Sequence, residues 1–253
     1  MRHLVLLGVL VAAVTLCLGA SSESSGDAKL YAAAVADASR PTTDRSRDTD
    51  LKPAETLEFA HIKPGDNVAD FAAGGGYFSR LFADVVGPKG HVYTIQPDEE
   101  AKYTAKATAE LQEFSKTHDS LSVVTGTAMN TLKFDKPLDV FWISQAYHDL
   151  KDKFFGPVDT AAFNKAVFAA LKPGGTYIVL DHVAAAGAPA DVTETLHRID
   201  PALVKREVEA AGFKFERESK LLENPSDPHT AGVFDKSIRG KTDQFIYKFR
   251  KPK

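Results

Sequence analysis

The chain has 253 residues, 43% of them apolar, which suits one α/β domain with a sizeable core. Its formal net charge is -3 and no run of Lys or Arg forms a basic stripe, so bulk charge gives no case for nucleic-acid binding. The only cysteine is Cys17, which leaves the rest of the chain without a disulfide, a thiolate nucleophile or a Cys ligand.

Met1-Arg2-His3 precedes an uncharged apolar run, Leu4 to Leu18, then Gly19-Ala20-Ser21-Ser22. The run is short for a membrane span and reads as a secretory signal peptide (residues 1–20) cleaved near Ala20. A periplasmic or secreted location, without stable membrane insertion after cleavage, is expected. Lipidation at Cys17 and an uncleaved anchor are the alternatives. Residues 21–50 read as a polar N-terminal extension: a short Ala-rich helix over Asp27 to Ser39, then a loop over Arg40 to Asp50.

From Lys52 the pattern alternates. A helix with an early Pro spans Lys52 to His61. Strands are predicted at Asn67–Phe71, His91–Ile95, Leu121–Val124, Leu138–Ser144, Thr176–Leu180, Phe213–Ser219 and Phe245–Phe249. Helices are predicted at Tyr77–Val86, Asp98–Lys116, Thr160–Leu171 and Pro201–Ala211, with Gly-Pro or Pro-Gly stops after several of them. Strand-helix alternation of this length implies a parallel sheet covered on both faces, here one domain over residues 51–253. Ligands of such sheets sit beyond the carboxyl ends of the strands. The residues to inspect are therefore Asp70 to Gly76, Gln96, Gly126-Thr127, Gln145 to Asp149 and Asp181-His182.

Three stretches carry a resemblance. "DFAAGGGYFS" from Asp70, "LDVFWISQAYHDL" from Leu138 and "VFAALKPGGTYIVLDH" from Val167 resemble, in order and spacing, motifs of the class I S-adenosylmethionine-dependent methyltransferases. "LHRID", "AAGF" and "RGKTDQFIYKF" further resemble an exported group of predicted methyltransferases. The resemblance covers about Lys52 to Lys253. It implies a Rossmann-like, doubly wound, mostly parallel seven-stranded sheet with an antiparallel last strand.

It also implies S-adenosylmethionine as cofactor, with Asp70, Ala72, Gly74, Gly76, Gln96 and Thr127 around it. Small residues let a ligand reach the backbone, and N–H groups at the helix start face its carboxylate. The turn does not meet G-x-G-x-x-G, because Ser79 stands where the last Gly belongs. Gln96 and Thr127 stand where the family usually has acids, and Ala72 replaces the first glycine. If Gln96 occupies the ribose position, restoring the charge with Gln96→Glu is expected to tighten cofactor binding; if the pocket serves another ligand, the new carboxylate is expected to weaken it.

His148, Asp149, Asp181 and His182 are the catalytic candidates, as general bases or substrate ligands, each with a turn-bracing or loop-bracing alternative. Tyr147, His197 and Arg198 are candidate substrate-binding residues, and His229 and Arg239 weaker ones. Asp200 before Pro201 reads as a helix N-cap. No H-x-H or H-E-x-x-H spacing supports a metal, so none is expected. The expected function is methyl transfer to an O or N of a small molecule. The alternative is a non-catalytic binding protein on the same fold, which Gln96 favours. Oligomeric state is not legible.

Overall fold

The computed structural model describes residues 19–126, 131–153 and 158–253, with side chains from residue 26 onward. The candidate Thr127 and the apolar run with Cys17 lie outside the described residues. Among the described residues no helix is long and apolar enough to cross a membrane.

Seven strands form one sheet: β1 (Asn67–Phe71), β2 (His91–Ile95), β3 (Leu121–Val124), β4 (Leu138–Ser144), β5 (Leu171–His182), β6 (Lys214–Ser219) and β7 (Gln244–Arg250). Their spatial order is β3-β2-β1-β4-β5-β7-β6. The first five run parallel; β7 is antiparallel to both β5 and β6. β1 is buried along its whole length, as a strand covered on both faces must be. Strand order reverses between β1 and β4. There Phe71 pairs with Ile95 on one side and Ile143 on the other, so the ends of β1, β2 and β4 open onto one crevice.

The helices are α1 (Gly19–Ala36), α2 (Thr42–Arg45), α3 (Asp48–Leu51), α4 (Pro53–Ala60), α5 (Tyr77–Val86), α6 (Ala101–Ser115), α7 (Thr160–Ala170), α8 (Val192–Leu196) and α9 (Pro201–Ala210). One face of the sheet packs Phe71, Phe141, Tyr177 and Phe249 with Phe163 of α7 and Val204 and Val208 of α9. The other packs Trp142, Ile178 and Ile246 with Phe78 and Phe82 of α5, Leu57 of α4 and Tyr31 of α1. Asp200 accepts from the Ala202 N–H at 2.8 Å with Pro201 at the first helical position, the cap expected from the sequence.

The polar N-terminal segment is part of this body. Tyr31 and Ala34 of α1 are buried, and the Tyr31 hydroxyl donates to Ile62 O at 2.9 Å. The stretch expected to be a loop holds α2 and α3. Arg40 pairs with Asp48, and Asp44 takes a two-toothed ion pair from Arg80 of α5 at 2.7 and 3.0 Å. Asp48 also accepts from the Tyr77 hydroxyl at 2.7 Å. Polar residues that look solvated in the sequence are thus consumed in clamping α2 and α3 onto the start of α5. Ala20 lies inside α1.

Candidate active site

The turn after β1 places its residues in left-handed conformations: Ala72 at φ 54°, Gly74 at 52° and Gly76 at 74°. The two glycines are needed for different reasons. A Cβ on Gly76 would lie 2.3 Å from Leu111 Cδ2 of α6, so this residue lets two helices pack. A Cβ on Gly74 would meet nothing within 4 Å, so its open side faces free space. Ala72 adopts an angle that favours glycine, a strained substitution retained in the turn.

Asp70 is buried beneath this turn and accepts from the Ser79 hydroxyl at 2.6 Å, tying β1 to α5. Burial pushes its carboxyl up to about 7, against the lowering effect of Ser79 and Arg80. Ser79, conspicuous in the sequence as a missing glycine, is that partner. Arg80 also donates to Gly75 O at 2.6 Å, so the N-terminal clamp reaches the turn itself.

Gln96 follows β2 directly and is buried. Its Nε2 donates to Gly74 O at 2.7 Å, and its Oε1 is a buried acceptor without a hydrogen-bond partner. The amide therefore has a task that an acid cannot share. A glutamate would set a carboxylate against the Gly74 carbonyl, which favours weaker over tighter binding as the outcome of Gln96→Glu. Asp98 accepts from the Gly126 N–H at 2.8 Å and braces the loop after β3. Glu99 Oε2 is buried and unpaired. An orphaned acceptor beside an open glycine suits a ligand that brings a hydroxyl donor.

Two cavities adjoin beyond β4 and β5, sharing Gln145, His182, Val233 and Phe234. The first, about 530 Å³, is lined by Glu100, His148, Asp149, Asp152 and His197 as well. The second, about 510 Å³, adds Arg47, Asp50 and Arg239. Gln145 and His197 both hold positive φ, 57° and 52°, at the wall. Strain of this kind clusters at functional sites.

Asp181, fully buried at the end of β5, accepts from the backbone N–H of His148 at 2.9 Å and of His182 at 2.7 Å. It also sits 2.8 Å from His148 Nδ1. Its oxygens are committed to holding the two histidines. On the other side, His148 Nε2 is 3.1 Å from Asp149 Oδ1. Burial disfavours the His148 charge, yet Asp181 and Asp149 raise its pKa to about 10. Asp149, despite burial, is held down at about 2 by His148 and His197. His182 is pushed down to about 4, chiefly by burial; its Nδ1 is 2.8 Å from the Thr242 hydroxyl. Of the histidines expected to serve as bases, burial favours His182 as a neutral imidazole at the cavity wall, while His148 is flanked by two carboxylates that favour a positive charge at its ring.

Three sequence candidates lie elsewhere. Arg198 is fully buried and makes a bidentate pair with Asp227 at 2.8 and 3.1 Å, with further bonds to Val183 O and Ala231 O. It braces a loop and does not line either cavity. Tyr147 is also fully buried, its hydroxyl bonded to Glu207 and Asn164 under the sheet. His229 pairs with Asp243 at 2.9 Å, outside both cavities. Glu100 and Asp152 line the first cavity and were missed. Burial, then Asp149 and Glu99, raises Glu100 to about 8. Its place in "QPDEE", one turn past β2, was the available signal. Asp152 carries none.

Residues 69–179 match the family described as methyltransferase domain. Over 90% of this chain and 98% of the other, the structure resembles a SAM-dependent methyltransferase from Aquifex aeolicus, with a TM-score of 0.54 at 19% identity. Over 79% and 87% it resembles the glycopeptide N-methyltransferase MtfA complexed with S-adenosylmethionine, at 0.53 and 18% identity. The fold is that of the class I methyltransferases. A curated relative, the protein-L-isoaspartate O-methyltransferase of Hyperthermus butylicus, is 29% identical over 133 residues, 50% of this chain and 48% of that protein. The chain thus spans about half the length of this relative. The domain match ends inside β5, and the cavity walls also take Asp50 and Leu51 of α3, Glu194 of α8 and Gln244 of β7 from outside it.

Proposed function

We propose that the protein is an active S-adenosylmethionine-dependent methyltransferase whose acceptor, an O or N of a small molecule, occupies the first cavity. The observation that carries this is the pairing of the open Gly74 with the orphaned Gln96 Oε1. The bound cofactor supplies an electrophilic methyl group on a sulfonium. Gly74 leaves room for it, Gln96 Oε1 and Glu99 Oε2 offer acceptors for its hydroxyls, and the N–H groups at the start of α5 favour its carboxylate. A cavity of about 530 Å³ is the size of a small-molecule site. His182, held neutral, stands where it can take a proton from the acceptor, while Asp181 fixes its backbone. A base this weak suits an acceptor that becomes strongly acidic as its new bond forms, such as a hydroxyl oxygen that turns into an oxonium on methylation. The test is S-adenosylhomocysteine formation from S-adenosylmethionine with metabolite fractions of the native host. Turnover that depends on a fraction is expected, and its absence with every fraction contradicts the reading.

A second reading is favoured by Arg47 and Arg239 in the adjoining cavity. Two guanidinium groups there suit an acceptor bearing a carboxylate, and a carboxylate needs no base. The isoaspartate relative named above is an O-methyltransferase. A carboxyl methyl ester releases methanol in alkali, whereas an N-methyl product does not, so base lability of the transferred methyl separates the two. The exported location is also proposed, on the charged start, the apolar Leu4–Leu18 run and the small residues after it. The intact mass of the protein from its native host should correspond to cleavage near Ala20; a full-length mass in a soluble cytosolic fraction contradicts it.

A further inference from the structure

His148, Asp149 and His197 come from two places in the chain, the turn after β4 and the residue after α8. Each offers one ligand atom, and these atoms lie within 4.8 Å of one another. Asp149 Oδ1 is 3.1 Å from His148 Nε2 and 3.8 Å from His197 Nδ1. Two ligands bound to a zinc-sized ion at about 2.0–2.1 Å with tetrahedral angles lie roughly 3.4 Å apart, so these separations need only small adjustment.

The surroundings point the same way. Asp181 only accepts, and its Oδ1 faces His148 Nδ1 at 2.8 Å, which makes Nδ1 the N–H of the ring. That leaves the Nε2 lone pair aimed at a carboxylate oxygen. Something positive must stand between them, either a second proton or a metal ion. A histidine whose one ring nitrogen donates to a carboxylate, leaving the other as a lone pair for an ion, is the usual outer-shell arrangement of a metal ligand. An independent observation lies in the same cavity. Asp152 is 3% exposed, its Oδ1 is buried without a hydrogen-bond partner, and its Oδ2 is 4.0 Å from His197 Nδ1. An orphaned carboxylate oxygen in this interior is costly unless a cation satisfies it.

We propose that His148 Nε2, Asp149 and His197 Nδ1, with Asp152 as a fourth or water-bridged ligand, form a site for one divalent first-row transition-metal ion. Two imidazoles with carboxylates select zinc, cobalt, manganese or iron over calcium and magnesium, which prefer oxygen donors. No sequence spacing reveals the site, because its histidines are 49 positions apart and meet only through the fold. The ion would open onto the cavity where the acceptor is placed. Resting on that reading, it would bind the acceptor's oxygen or nitrogen and lower its pKa, a role the weakly basic His182 cannot fill alone.

The test is titration of the full chain, untagged and stripped of metal, with Co²⁺, followed by visible absorption and calorimetry. One equivalent is expected, with ligand-field bands of a low-coordinate N/O site and a raised melting temperature. His197→Ala and Asp149→Asn should each weaken uptake at least tenfold. Asp181→Asn should weaken it about ten- to a hundredfold while leaving the ligands in place, as expected of a positioning residue. His197→Gln, at a half-exposed position, serves if His197→Ala fails to fold. No Co²⁺ uptake by the wild type, or equal uptake by these variants, overturns the proposal in favour of a protonated His148. S-adenosylhomocysteine binding is measured separately, so loss of this proposal leaves the methyltransferase reading intact.

Discussion

Gly74 and Gly76 lie two residues apart in one turn with similar backbone angles, 52° and 74°, yet alanine at each should fail for a different reason. At both, a Cβ at left-handed φ costs about 1–2 kcal/mol. At Gly76 the new methyl also lands 2.3 Å from Leu111 Cδ2 and 3.0 Å from its Cδ1 and Cγ. Leu111 is fully buried, so it can retreat only by disturbing its own neighbours. Overpacking of that kind adds about 1–3 kcal/mol. Gly76→Ala should therefore lose roughly 2–5 kcal/mol of folding free energy and Gly74→Ala only about 1–2. Urea unfolding of the three proteins measures this directly. Cofactor binding should invert the order: Gly74→Ala loses at least tenfold in affinity for S-adenosylhomocysteine, because its methyl enters the ligand's space. Equal destabilisation by the two variants would show that Leu111 moves at no cost. Wild-type affinity in Gly74→Ala would place the ligand elsewhere.

Gln96→Glu should weaken S-adenosylhomocysteine binding and lower stability by about 1–3 kcal/mol, since it exchanges a donor to Gly74 O for an unpaired buried carboxylate; titration and melting check both. Arg198→Leu should cost about 3–5 kcal/mol, because it strands Asp227 in the interior; the double change Arg198→Leu with Asp227→Leu should recover part of this in urea melts. Asp70 has a folded pKa of about 7 against 3.8 when unfolded, so between these values the native state binds the extra proton and stability falls as pH rises. Relative to Asp70→Asn, the wild type should lose on the order of 4 kcal/mol between about pH 4 and about pH 7, a difference that denaturation at the two pH values reads out.

The strands were legible because they are short apolar runs separated by helices and by Gly-Pro stops, a pattern general to α/β sheets, and the antiparallel last strand came from the resemblance. The cap at Asp200 was legible because it is local. What escaped were partnerships across long separations. Arg198 looks like a substrate contact in "LHRID" and is instead half of a pair with Asp227, 29 residues on. Asp44 and Asp48 look like loop residues and are held by Arg80 and Tyr77, 36 and 29 residues away. Tyr147 sits beside His148 in the chain, but the turn after β4 sends the two rings to opposite sides of the strand end, one into the core and one to the cavity. For the candidate site, the strand-end rule found His148, Asp149, Asp181 and His182, yet it could not separate those that face the cavity from Asp181, which lies behind them. Glu100 and Asp152 reach the cavity only because α6 and the turn after β4 converge on it.

The central claim is that the space beside Gly74 and Gln96 holds S-adenosylmethionine. Calorimetric titration of the wild type and of Gly74→Val with S-adenosylhomocysteine tests it most directly. Saturable one-site binding by the wild type, abolished in a folded Gly74→Val protein, is the predicted result. No binding by the wild type, or equal binding by both, would contradict it.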